Sequence, residues 1–158
     1  MKEKVALSWS GGKDSAMSLY ELQQSGRYDV QALLTTITEA YDRISMHGVR
    51  RELLERQAES VGLPLQKIYI AKDASNDANE AQMERALREQ ERNDVYQVAF
   101  GDIFLEDSRA YRERNLTRLG RKGLFPVWKR NTTELARAFL GLGFRALAWF
   151  RGPVRRNR

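Results

Sequence analysis

The sequence predicts an α/β fold of three layers, a parallel sheet of about five strands covered by helices on both faces. Apolar runs of strand length alternate with helix-length amphipathic stretches along the 158-residue chain. Several of the helical stretches stop at a glycine, as helix C-termini do. No repeat, low-complexity tract or internal linker interrupts the alternation, so one domain is expected over 1–150, with a basic tail over 151–158.

The elements follow in order. Residues 5–9, Val-Ala-Leu-Ser-Trp, read as a short apolar strand. A helix over 14–25 places Ala16, Leu19 and Leu22 on one face and ends at Gly26. The β-branched and apolar run 30–36 is a second strand. Val49, Leu53, Leu54, Ala58 and Val61 have helical spacing over 49–61, stopped by Gly62 and Pro64. A third strand is expected over 65–70, and Ser75 can cap a long polar helix that reaches about residue 93. A fourth strand covers 95–100, and an arginine-rich helix covers 105–119. Residues 123–128 read as a short extended or turn segment, 132–142 as a helix closed by Gly143, and the apolar run 146–150 as the fifth strand.

Composition removes several functional classes. There is no cysteine, which excludes disulfides, thiolate metal sites and cysteine nucleophiles. One histidine, His47, does not make a histidine metal cluster. No apolar run approaches the roughly 20 residues that span a bilayer, and the start Met1-Lys2-Glu3-Lys4 is not that of a signal peptide. The cytoplasm is the expected compartment, without a membrane partner. The net charge of +6 favours anionic ligands, but Arg145, Arg151, Arg155, Arg156 and Arg158 supply much of it near the C-terminus. Those residues read as a solvated tail. No aromatic stacking pattern accompanies them, so a nucleic-acid partner is not expected.

In open α/β sheets ligands bind beyond the C-terminal ends of the strands. The candidates are therefore 10–15, 35–47, 71–76, 101–107 and 128–132. The first is the most specific. Ser10-Gly11-Gly12-Lys13-Asp14-Ser15 joins the first strand to the first helix. Two glycines allow close approach of the backbone to a ligand, the helix start presents free N–H groups, and Lys13 adds a full charge. This suits a phosphate or pyrophosphate. It is not a Walker A loop, since Asp14 follows Gly12-Lys13 and Leu7 stands where the first glycine belongs; nor is it G-x-G-x-x-G, since Gly11 and Gly12 are adjacent.

The six residues resemble the S-G-G-K-D-S signature of the PP-loop ATP pyrophosphatases. The runs 34–36 (Leu34, Thr35, Thr36), 41–49, 100–103, 111–114, 124–128 and 143–146 are similar, in order, to the diphthine–ammonia ligase family, over residues 4 to about 148. The resemblance implies a Rossmann-like (HUP-type) fold. It also implies an AMP-forming, ATP-dependent ligase that cleaves ATP between the α- and β-phosphates, adenylates an acceptor, and lets ammonia displace AMP. The lack of cysteine separates the chain from sulfur-inserting relatives.

By the same resemblance Ser10, Gly11, Gly12, Lys13, Asp14 and Ser15 hold ATP, with Lys13 and Asp14 catalytic. Leu34, Thr35 and Thr36 lie near the adenosine, and His47 and Gly48 near the base. Gly101 and Asp102 line the nucleotide or acceptor side, and Arg112 or Arg114 grips phosphate or an anionic acceptor. Two residues apart on a helix, Arg112 and Arg114 cannot both face the site. A carboxylate beside phosphates calls for a cation, so Asp14 is expected either to face Mg²⁺ or to cap the helix. Trp128 reads as core rather than as a ligand platform. The partners implied are ATP, AMP, ammonia and an acceptor that is a protein or a small molecule; a homodimer stays open.

Two departures from the family stand out. Trp128-Lys129-Arg130-Asn131-Thr132 replaces the usual W-G-[RK]-D-T, which puts a lysine where a strained turn takes glycine and leaves Asn131 to cap the next helix. Family members also continue past this sequence with a Glu-Gly-Gly-Glu-like segment that helps form the acceptor site. A nucleotide-binding module without turnover is therefore the alternative expectation, and a tRNA-modifying adenylating enzyme a more distant one.

Overall fold

The structure, a computed structural model, describes residues 1–45 and 47–147. The strands are β1 (Glu3–Ser8), β2 (Tyr28–Thr38), β3 (Arg43–Ile44), β4 (Leu65–Ile70), β5 (Gln97–Ala99) and β6 (Lys122–Leu124). The helices are α1 (Lys13–Gln24), α2 (Arg51–Val61), α3 (Asn76–Glu91), α4 (Glu106–Arg118) and α5 (Thr132–Gly141). β1 pairs in parallel with β2 and β5, β2 with β4, and β5 with β6. The parallel order is thus β4-β2-β1-β5-β6. The chain builds outward from β1 to β4, then crosses to the other side of β1 for β5 and β6. That reversal puts the switch-point crevice between the C-terminal ends of β1 and β5.

β1 alternates as a strand with both faces buried must. Val5 and Leu7 pack with Leu19 and Leu22 of α1 and with Leu54 and Ala58 of α2. Ala6, between them, packs on the opposite face with Ala86 and Leu87 of α3 and Leu116 of α4. Leu135 and Phe139 of α5 close on Met17 of α1, so α5 shares the α1 side. The result is the three-layer, Rossmann-like arrangement expected. Two expected caps are present: the Ser75 hydroxyl accepts from the Ala78 N–H, and the Asn131 side chain accepts from the N–H groups of Thr133 and Glu134. No helix among the described residues is long and apolar enough to cross a membrane.

The fifth parallel strand is not where the apolar run suggested. Lys122, Gly123 and Leu124 pair with Gln97, Val98 and Ala99 and complete the sheet. Of the run 146–150, Ala146 and Leu147 lie outside any strand, with Leu147 99% exposed, and 148–150 fall outside the described residues together with the tail 151–158. A three-residue strand containing glycine has almost no propensity signal of its own. It forms because the β5 edge is there to receive it. The α2 helix begins at Arg51 rather than at Val49, and of its apolar residues Leu53 and Val61 stay exposed.

Candidate functional site

Loop 10–15 leaves β1 at the crevice and enters α1. The Ser10 N–H donates to the Ser15 Oγ at 3.0 Å, and the two serine hydroxyls are 2.7 Å apart. Ser15 is buried, so its hydroxyl holds the loop together rather than facing solvent. Gly11 takes a left-handed φ of 77°. Gly12 is the N-cap of α1 and makes no side-chain capping bond. Asp14 is therefore not the helix cap; it lies one residue inside the first turn and forms an ion pair with Lys13. The N–H groups of that first turn have no acceptor within the helix and point out of its N-terminus, where the helix dipole is positive.

The loop after β5 packs directly on this turn. A Cβ at Gly101 would come within 3.2 Å of the Asp14 carbonyl oxygen and the Ser15 nitrogen. A side chain there would press on the backbone of α1, so the glycine fits by close approach of two backbones and not by its φ. Asp102, beside it, is bound by Arg112 of α4 at 2.7 Å, and the Arg112 guanidinium lies over the Phe100 ring at 4.4 Å. Arg114 is exposed, so only one of the two arginines faces this side. The loop after β6 joins in: the Lys129 N–H donates to the Ile103 carbonyl at 2.7 Å. Arg109 stands over both Phe125 and Trp128, at 4.5 and 4.7 Å, so half-buried Trp128 belongs to an aromatic–arginine cluster. Lys129 has a φ of 58°, the left-handed conformation expected where a glycine has been replaced.

β2 brings in the hairpin that carries the other candidates. Residues Ile37 and Thr38 pair with β4 on one side and with antiparallel β3 on the other. The β3 hairpin therefore occupies the same edge of β2 as β1, just beyond the point where β1 ends. Successive carbonyls on that edge record the handover: Leu34 accepts from the Trp9 N–H at 2.7 Å, and Thr36 accepts from the Ser45 N–H at 3.0 Å. Leu34 contributes this carbonyl; its side chain is core on the α3–α4 face. Thr35 is 3% exposed and its hydroxyl has no hydrogen-bond partner. His47 is exposed in the turn after β3, and the neighbouring Gly48 carbonyl accepts from Arg43 at 2.7 Å.

Of the five candidate loops, three are thereby joined around the crevice: 10–15, 101–107 and 128–132. The hairpin 43–48 approaches from β2, whereas 71–76 follows the outer strand β4. Two grooves of about 300 and 360 Å³ lie elsewhere, one between β4 and α3 and one between Asp42 and the first turn of α2. Neither is lined by loop 10–15.

A residue that sequence reasoning passed over holds the loop from behind. Gln57 of α2 donates from Nε2 to the Gly11 carbonyl at 3.1 Å and accepts from the Trp9 indole N–H at 3.0 Å. Its one sequence signal is a polar side chain three residues after Leu54, on the face of α2 that meets the core.

The family model of the diphthamide synthase N-terminal domain matches residues 3–123. Among solved structures, PH1313 from Pyrococcus horikoshii Ot3 is similar, with 14% identity and a TM-score of 0.50 over 89% of this chain. The chain spans 42% of that structure's length. A universal stress protein family member from Burkholderia pseudomallei matches at 11% identity and a TM-score of 0.38, over 78% of this chain and 94% of that one. No curated protein matches the chain.

Proposed function

The chain belongs to the diphthamide synthase N-terminal domain family, part of the PP-loop ATP pyrophosphatase superfamily, and from that premise we propose that it binds ATP at loop 10–15, cleaves it between the α- and β-phosphates, and adenylates an acceptor that ammonia then amidates. The observation that carries this reading is the first turn of α1, with N–H groups free of helix partners and the Lys13–Asp14 ion pair beside them, at the switch-point crevice. Free N–H groups at a helix start bind phosphate oxygens. The Lys13 ammonium offsets the negative charge that grows on departing pyrophosphate.

The donor set suits Mg²⁺ held mostly by the nucleotide. Asp14 supplies one carboxylate beside the phosphate position, and among the described residues no group of three acidic or histidine side chains offers a protein cage. When bound, the ion supplies further neutralisation of the pyrophosphate. Arg112 keeps the Asp102 carboxylate paired, so that it does not repel phosphate from the crevice. Thr35 and Thr36 at the end of β2, and His47 and Gly48 in the hairpin, are the residues assigned to the nucleoside. The acceptor is a protein or a small molecule, and the reaction belongs in the cytoplasm.

The test is incubation of the full chain with ATP, Mg²⁺ and ammonium, with pyrophosphate measured. Release that disappears in Lys13→Ala supports AMP-forming catalysis. ATP binding without release moves the reading to a nucleotide-binding module. Absence of ATP binding overturns it.

A further inference from the structure

Gln57 has no part in the signature of loop 10–15, and it reaches that loop from 46 residues away in sequence. Both ends of its amide are used. Nε2 donates to the Gly11 carbonyl at 3.1 Å, and Oε1 accepts from the Trp9 indole at 3.0 Å. The two partners flank Ser10, so the amide spans the point where β1 becomes the loop. The fit around it is close: a Cβ on Gly11 would fall 2.7 Å from the Gln57 Oε1 and 2.7 Å from the Leu54 Cδ2. Gly11 itself is left-handed, with a φ of 77°.

A left-handed glycine followed by a second glycine has alternative turns open to it unless something fixes the peptide plane on either side. Within the loop, the serine hydroxyls link Ser10 to Ser15 and Gly12, with the Gly12 N–H 3.4 Å from the Ser10 Oγ. None of those bonds is made to the Gly11 carbonyl itself; the Gln57 amide supplies that one. That carbonyl shares its peptide plane with the Gly12 N–H, which is opposed to it and donates to the Ser10 Oγ at 3.4 Å, so the Gln57 amide and the serine bond pin one peptide plane from its two sides at the start of α1. The far side of Gln57 rests on the core: Leu54 and Ala58 on the same helix are fully packed, at 0 and 3% exposure. The clamp is therefore anchored to rigid structure, as a positioning group requires.

We infer that Gln57 is a positioning residue for the nucleotide: its amide, bridging the Trp9 indole and the Gly11 carbonyl, holds loop 10–15 in the shape that presents its N–H groups to phosphate. The inference rests on the reading of this loop as the ATP site.

The test compares full-chain wild type with Gln57→Met, which keeps the side chain's length and volume but neither hydrogen bond, and with Trp9→Phe, which removes only the indole donor. ATP affinity and stoichiometry are measured by calorimetry in the presence of Mg²⁺. Gln57→Met is expected to weaken ATP about tenfold at unchanged stoichiometry, and Trp9→Phe about twofold to threefold, in line with loss of one or two ordinary hydrogen bonds. A merely destabilised variant would lose binding sites while its remaining sites kept wild-type affinity, so stoichiometry separates positioning from folding. If Gln57→Met does not fold, Gln57→Leu, which is also uncharged and lacks both hydrogen bonds, takes its place with the same expectation. Affinity within twofold of wild type in the folded variant overturns the assignment of Gln57 and leaves the ATP reading standing. Failure of wild type itself to bind ATP overturns both.

Discussion

Two polar side chains in this molecule do the same local work with different consequences. Gln57 bridges an indole and a loop carbonyl at the rim of the crevice. Arg121, on the other side of the sheet, bridges α3 to β5: it donates to the Leu87 carbonyl at 2.8 Å, to the Val95 carbonyl at 3.1 Å, and pairs with Glu91 at 2.5 Å. The Arg121 side chain is 1% exposed, whereas Gln57 is half-buried and joins buried Trp9 to the Gly11 carbonyl of a half-buried loop. The difference teaches what burial does to a bridge. Carbonyls left unpaired inside the α3 face have no water to turn to, so the cost falls on folding. A loop released at the rim finds water, so the cost falls on the shape of the site.

The comparison breaks first, and with the largest effect, at Arg121. Arg121→Ala is expected to lower stability by about 2–4 kcal/mol in urea unfolding, since it strips two buried carbonyls and one carboxylate of their donor. ATP affinity of the folded fraction should not change; a parallel loss of affinity would show that the two bridges are not separable. Next comes Gly101→Ala, in which the added methyl meets the backbone of Asp14 and Ser15. It should cost roughly 1–2 kcal/mol and also weaken ATP, because here the packing and the site are the same atoms. Wild-type affinity in that variant would detach the crevice from nucleotide binding.

A smaller effect, of opposite sign, is expected from Lys129→Gly. The lysine holds a φ of 58° at some conformational cost, and glycine adopts that φ freely. A gain of about 0.5–1 kcal/mol in thermal or urea unfolding is expected, and a loss would mean that the Lys129 side chain contributes more than its backbone costs.

The smallest effect concerns the exposed end of the helix that carries Gln57. Lys67 and Arg51 hold the Glu55 carboxyl below its ordinary value of 4.5. A carboxyl depressed in the folded state contributes stability that is complete above 4.5 and is lost as pH falls through the lower folded value. Glu55→Gln should therefore flatten the acid limb of the stability profile. At neutral pH it should change stability by about 0.5 kcal/mol or less, as exposed pairs do. An unchanged acid limb would remove Glu55 as an anchor of α2.

Much of the fold was legible because its signals are local. The alternation of β1, α1, β2, α2, β4 and α3 follows from hydrophobic period, and the caps at Ser75 and Asn131 follow from side-chain chemistry at a helix start. Two residues apart on α4, Arg112 and Arg114 diverge: Arg112 pairs with Asp102 and Arg114 is exposed. The assignment of the last strand to 146–150 failed because an apolar run is only a candidate; Lys122–Leu124 fills the place through pairing with β5. The two residues of β3 are too few to carry a period, so the hairpin has no strand signal in the sequence.

The loop at 10–15 and its setting between a strand and a helix could be read from residues that are adjacent in the chain, and so could the class of ligand it suits. The partners of that loop could not. Gln57 from α2 and Gly101 from the turn after β5 meet it across long stretches of chain. A glutamine on a polar helix and a glycine after a strand are common, and nothing local distinguishes the ones that matter. Only the folding of the sheet, with its reversal between β1 and β5, brings those atoms within hydrogen-bonding or van der Waals distance and turns a glycine-rich turn into a shaped crevice.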